Sequence, residues 1–237
     1  MRYISNPFFG QGLPSEDGMA TGDVSTDAAA AQALFKLCPA AHVTPLADYP
    51  DLAKSLGIGH LYIKDERKRM GLGSFKSLGA AYAIAKTADQ QVKSGAASDY
   101  DTALKGSTYV CASAGNHGLS MAAGAKLFGA RAVVYLAATV PEAFADRLRA
   151  KGADVVRAGD NYEASMTAAV KAAADEGWNL LSDSSWVGYS DPARDVMEGY
   201  LIMGMEVAEQ VPKPPTHIFL QAGVGGLAAA CAVAART

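Results

Sequence analysis

The chain has 237 residues, half of them hydrophobic, and a net charge of −3, so it can bury a core as one large domain or two small ones. Its basic runs sit beside acids, as in KDERKR (Lys64 to Arg69), which argues against an extended nucleic-acid or membrane surface and for a small-molecule partner. Cys38, Cys111 and Cys231 are odd in number and widely spaced, with no CxxC pair, which reads as three buried free thiols in a reducing compartment and no zinc site.

In chain order, residues 1 to 25 read as irregular, and MRYISNPFFGQGLPSEDG lacks the continuous apolar core of a signal peptide. No later apolar segment reaches spanning length uninterrupted, so the expected location is the cytoplasm. Ser25 or Thr26 is placed to cap a helix through AAAAQALFKL, LAKSLG ends on a helix-stopping glycine, and HLYIKD reads as a short strand. From Ala80 to Asp183 the expected order is strand STYVCAS, helix HGLSMAAGAKLFG, strand RAVVYLA, helix PEAFADRLRAKG, strand DVVRAG, helix YEASMTAAVKAAADEG and strand WNLLSD. Strands alternating with helices predict parallel βαβ units. Gln90 to Gly106 reads as a polar loop without chemistry. An irregular SSWVGYSDPARD, the helix VMEGYLIMGMEVAEQV, a Pro-rich break, strand HIFLQ and the glycine loop AGVGGLAAA complete the chain. A strand arriving this late reads as part of a sheet that needs further βα units, hence a fragment.

Three stretches carry chemistry. In GLGSFKSLGAAYA (Gly71 to Ala83), Gly71 and Gly73 bend the chain and Lys76 opens a helix apolar on nearly every face. The positive helix end and partial desolvation push a lysine there toward a neutral, nucleophilic amine, although a lysine taken alone is more often a solvated surface residue. SAGNHG (Ser113 to Gly118) lies where a strand ends and a helix begins. Its backbone N–H groups suit a carboxylate or phosphate, with Asn116 and His117 as added donors, or else form a cap and tight turn around a structural His117. AGVGGLAAA (Ala222 to Ala230) is a second strand-end glycine loop for an anion. It also fits the dinucleotide pattern G-x-G-x-x-A through Gly223, Gly225 and Ala228, which keeps a nucleotide-binding oxidoreductase open.

The chain contains no Walker A, GxSxG or HExxH pattern, and its four histidines lack ligand spacing, which removes nucleotide hydrolysis and metal hydrolysis. A nucleophilic lysine, an anion loop with an amide donor and a second glycine loop for phosphate together describe a pyridoxal phosphate site, with the cofactor as electron sink.

With SFK, SAGNHG and GVGGL in this order, the chain resembles the fold-type II pyridoxal-phosphate enzymes, the group of threonine dehydratase and tryptophan synthase β. Over most of residues 40 to 237 it looks most like the diaminopropionate ammonia-lyases, through KDERKRMGLGSFKSLGAAYAIA, DSSWVGY with its later MEGY, and PTHIFLQAGVGG. The resemblance implies that Lys76 forms the Schiff base, that Phe75 and the glycines shape its approach, and that Asn116 bonds the phenolic oxygen. Gly223, Val224, Gly225, Gly226 and Leu227 would hold the phosphate. Ser113, Ala114, Gly115, Asn116 and His117 would take the substrate carboxylate, and Asp183 would be a base. It implies a parallel α/β large domain over 1–78 and 184–237, incomplete at its C-terminal end, a small α/β domain over 79–183, a cofactor between them, and a homodimer. The family carries aspartate where this chain has Ala114, and that aspartate serves the D-isomer. The expected activity is therefore β-elimination from L-2,3-diaminopropionate to pyruvate and ammonia. L-Serine, L-threonine or hydroxyaspartate dehydration is the alternative, because SAGNHG is the dehydratase form, and an inactive fragment is the other.

Overall fold

The computed structural model describes residues 25–236, so the irregular stretch expected over residues 1 to 25 lies almost wholly outside the described residues. The first helix, α1 (Ala29–Leu37), is capped by neither Ser25 nor Thr26. Its N-cap position is Ala28, and the Asp27 carboxylate accepts the Ala29 N–H at 2.8 Å. Ser25 lies too early to reach the first turn, and its hydroxyl donates to Glu198 at 3.0 Å instead.

Strands β1 (Leu46–Asp48) and β2 (Tyr62–Lys64) form an antiparallel ribbon around α2 (Pro50–Ser55). The chain leaves α2 at Gly57, whose φ of +68° stops the helix as expected. After β2 a 3₁₀ turn (Glu66–Gly71) leads into backbone that is left-handed at Met70, Gly71 and Gly73 (φ +49°, +66° and +84°). Those reversals set the start of α3 (Lys76–Lys93). The segment read as a polar loop from Gln90 is helical as far as Lys93, and its Leu104 is buried.

The central sheet is parallel throughout, in the order β5-β4-β3-β6. Its strands are β3 (Thr108–Ala112), β4 (Arg131–Leu136), β5 (Ala153–Arg157) and β6 (Asn179–Leu180), joined by α4 (Asn116–Leu127), α5 (Glu142–Ala150) and α6 (Tyr162–Glu176). Side chains alternate along each strand. Tyr109, Cys111, Ala132 and Val134 join the main core with α4 and α5, whereas Val110, Ala112 and Val133 pack on Ala169 of α6. A strand buried on both faces reads as a continuous apolar run, which is why YVCA and AVVYL were legible. The order runs from β3 outward to β5 and then returns to the other side of β3. Right-handed crossovers therefore put α6 on the opposite face from α4 and α5.

Helix α7 (Asp191–Gln210) packs on α3 and on α8 (Gly226–Ala234). The α3–α7 approach is backbone-close, since a Cβ on Gly199 would lie 2.2 Å from the Leu78 carbonyl oxygen. The strand expected over HIFLQ is not formed: residues 217–221 have no ladder partner among the described residues, and Phe219 is 82% exposed. Periodicity shows which face of a strand is apolar, but a strand exists only with a neighbour to bond. Among the described residues no helix is long and apolar enough to cross a membrane. All three cysteines are free, but only Cys111 is fully buried; Cys38 and Cys231 are half-buried, which corrects the expectation of three buried thiols.

Candidate active site

The strand order reverses between β3 and β6, and in open parallel sheets ligands gather beyond the carboxyl ends of the strands at such a reversal. SAGNHG follows β3 and Asp183 follows β6, so both arrive at that point. They are tied together by His117, whose Nε2 donates to the Leu181 carbonyl at 2.8 Å. The ring is therefore turned inward and buried, while the His117 backbone stays at the α4 N-terminus. Gly118 allows this turn because a Cβ there would lie 2.4 Å from the Ser113 carbonyl oxygen. Ser113 and Ala114 are half-buried, Gly115 and Asn116 are exposed, and no side chain caps α4. Its first N–H groups are left for an anion.

Lys76 reaches the same point from α3. Its Nζ forms an ion pair with Asp183 Oδ2, and the Lys76 side chain is 31% exposed against 15% for that of Asp183. Burial pushes the Asp183 carboxyl up, but the neighbouring His117 ring and the Lys76 ammonium outweigh it and leave the group below the ordinary carboxylate range. Burial lowers His117, which is therefore neutral at neutral pH. We accordingly take Lys76 as the main partner holding Asp183 ionised. The sequence reading placed desolvation and a helix end around Lys76; the structure adds this carboxylate.

The start of α3 is pinned locally. Ser74 Oγ accepts the Lys76 N–H at 3.2 Å, and Ser77 Oγ donates to the Ser74 carbonyl at 2.7 Å. Ser120 of α4 donates to the Ser77 carbonyl and accepts the Ala81 N–H, at 3.2 and 3.1 Å, joining the two helix starts. Asp183 is set by Tyr189, whose hydroxyl accepts the Ser182 N–H at 2.8 Å and donates to the Leu180 carbonyl at 3.0 Å while its ring stacks on Trp186. Ser120 and Tyr189 were not found by sequence reasoning. A serine inside a helix and a tyrosine in an irregular stretch carry no spacing signal.

The glycine loop lies at the start of α8. Gly223, Val224 and Gly225 are exposed, Gly226 is half-buried and Leu227 is buried in the core. Gly225 takes φ +94°, and no side chain caps the helix. Tyr200 of α7 connects this loop to Lys76. A Cβ on Gly226 would lie 3.6 Å from Tyr200 Cε2, and Phe75 meets the Tyr200 ring edge-on at 5.1 Å. Lys76, SAGNHG, Asp183 and the glycine loop are thus gathered around the first turns of α3, α4 and α8.

The family model for pyridoxal-phosphate-dependent enzymes matches residues 37–237. The chain belongs to that family. Within the pyridoxal-phosphate-dependent enzymes it is 34% identical over 209 residues to the diaminopropionate ammonia-lyase of Salmonella typhimurium, covering 83% of this chain and 52% of that protein. It is 30% identical over 221 residues to threonine dehydratase 1 of Solanum lycopersicum, covering 93% of this chain and 33% of that protein. The crystal structure of holo diaminopropionate ammonia-lyase from Escherichia coli superposes with a TM-score of 0.81 at 29% identity, over 91% of this chain and 58% of that one. The fold is that of the fold-type II pyridoxal-phosphate enzymes, and the chain spans about half the length of the ammonia-lyases it matches.

The residues present fit pyridoxal phosphate. The Lys76 amine pairs with Asp183 beside the uncapped N-terminus of α4, and Phe75 and Tyr200 link it to the uncapped N-terminus of α8. The buried side-chain atoms without a hydrogen-bond partner among the described residues, His117 Nδ1 and Tyr200 Oη, both belong to these surroundings. No group of three or more His, Cys, Asp or Glu among the described residues could hold a metal ion.

Proposed function

We propose that the protein is a pyridoxal-phosphate-dependent ammonia-lyase that eliminates ammonia from L-2,3-diaminopropionate to give pyruvate and ammonia, working as a cytoplasmic homodimer. The observation that carries the reading is the Lys76–Asp183 ion pair at the strand-order reversal, where the uncapped N-terminus of α4 also lies. Lys76 would hold the cofactor through its amine, with Phe75 beside it. Gly223, Val224, Gly225, Gly226 and Leu227 would hold the phosphate, and Asn116 the phenolic oxygen. When bound, the cofactor supplies an electron sink for the carbanion left by proton removal.

The chain's own groups do the rest. Backbone N–H groups from Ser113 to His117 orient the substrate carboxylate against the positive end of α4. Asp183 Oδ2 is the atom that takes the α-proton. While it faces the Lys76 ammonium it is a weak base, and it gains basicity once Lys76 no longer carries that charge. Ala114 has no group that can take a proton, so a base stands on one side of the substrate only, which supports L-selectivity. A second reading, L-serine or L-threonine dehydration, is favoured by the same alanine and by the tomato threonine dehydratase relative.

Two measurements on the full-length protein test the proposal. The cofactor should give an absorbance band near the visible edge, borohydride should trap it on Lys76 by peptide mapping, and Lys76→Ala should lose both. Keto-acid release should be fast from L-2,3-diaminopropionate and slow from its D-isomer. Brisk D-isomer turnover would defeat the selectivity assignment, faster L-threonine turnover would select the dehydratase reading, and trapping at another lysine would remove Lys76 from the site.

A further inference from the structure

Strand β6 pairs with β3 only at Asn179 and Leu180, and one further bond, from the Leu181 N–H to the Val110 carbonyl at 2.8 Å, ends the ladder. The chain must leave the sheet here for Asp183 to meet Lys76 of α3. In a parallel ladder the Leu181 carbonyl would take its donor from β3. Here the donor is the His117 ring, at 2.8 Å, and the Ser182 N–H goes to the Tyr189 hydroxyl. Both polar groups of the Leu181–Ser182 peptide are thus held by side chains.

His117 lies in the first turn of α4, and Ser120, three residues on, shares its face. Ser120 holds the other half of the ion pair: its hydroxyl donates to the Ser77 carbonyl at 3.2 Å and accepts the Ala81 N–H at 3.1 Å, on the helix that Lys76 opens. One face of α4 therefore grips the chain before Asp183 and the helix that carries Lys76. His117 is 3% exposed and its Nδ1 has no partner among the described residues. An apolar side chain would fill that space without the cost of an unpaired nitrogen, so the bond from Nε2 is what the histidine supplies.

We infer that His117 is a positioning residue for the reaction: by fixing the Leu181 carbonyl to the face of α4 that also holds α3, it sets the Asp183 carboxylate at the Lys76 amine. The inference rests on the lyase reading above and adds the group that places its base. A reacting group displaced by about 1 Å can cost about 10²-fold in rate, so the ring acts without touching the substrate.

The test compares two variants of the full-length protein. His117→Gln puts an amide N–H near the place of Nε2, whereas His117→Asn puts one near Nδ1 and falls short of the Leu181 carbonyl. Keto-acid release from the better of L-2,3-diaminopropionate and L-threonine should fall about 10²-fold in kcat for the Asn variant, with KM little changed, and be largely restored in the Gln variant. Substrate deuterated at the α-carbon should show a larger isotope effect in the Asn variant, since proton removal is the step that slows. Without cofactor, the loss of melting temperature caused by Asp183→Asn should shrink in the His117→Asn background, because the two residues act through one contact. Equal rates in the two variants, or an Asp183→Asn loss of the same size in both backgrounds, would overturn the assignment, since a histidine serving only the core would give either. Wild-type protein with no cofactor trapped on Lys76 would overturn the lyase reading, whereas the cofactor-free melting comparison would still decide whether His117 places Asp183.

Discussion

Asp183 and Lys76 are 107 positions apart in the chain and form one ion pair. Because the Asp183 carboxyl is held below its ordinary value, the stability it contributes is present above the unfolded-state carboxylate pKa and is lost as pH falls through the depressed folded one. Asp183→Asn should therefore melt lower than wild type at neutral pH, with the difference closing on acidification; thermal midpoints across a pH series measure this. On activity, removing a positioned base should cost about 10²–10⁴-fold, read as keto-acid release from the L-substrate. A sequence pattern identified Lys76, and the family resemblance Asp183, as separate candidates. Their contact was not legible, because it depends on β6 returning to the far side of β3. The inward turn of His117 is of the same kind: a neutral ring held by the Leu181 carbonyl cannot be told from a ligand-facing one by spacing.

Between elements, the run KDERKR looks like a solvated charged surface and is in large part the reverse. Arg69 is fully buried, and its guanidinium grips both Glu206 carboxylate oxygens of α7 at 2.7 Å and Glu66 at 2.7 Å. Lys64 adds a 2.6 Å bond to Glu206, and Thr44 a further donor. This cluster ties β2 and the turn before Lys76 to α7, across backbone that is left-handed at Met70. Burial pushes Glu206 up, but the hydrogen bonds from Arg69 and Lys64 leave it below the ordinary range. Glu206→Gln leaves part of that positive charge uncompensated and should cost about 3 kcal/mol, measured by urea unfolding at neutral pH. Arg67, whose side chain is 85% exposed beside Asp65, stays at the surface.

For the molecule as a whole, the central sheet and the HIFLQ segment part company. Val110, Val133 and Val134 are at most 1% exposed within a parallel ladder, while Ile218, Phe219 and Leu220 are 49%, 82% and 39% exposed without one. Amide hydrogen exchange on this 237-residue chain should be slow across β3 and β4 and fast across residues 217–221, since protection follows burial and ladder bonding. Slow exchange at Phe219 would show that the segment has found a strand partner.

The sequence by itself determined the parallel α/β class, the four strand runs and three helix runs from Ala80 to Asp183 that build it, and three glycine-bearing turns at strand or helix starts. These are local properties, set by side-chain period and backbone freedom. Only the tertiary structure decided that Lys76 meets Asp183, that Ser120 and Tyr189 hold the loops around them, and that the Tyr200 ring packs between Gly79 of α3 and Phe75. Each of those depends on which strand lies next to which and on how closely α7 approaches α3, and packing settles both through contacts between residues far apart in the chain.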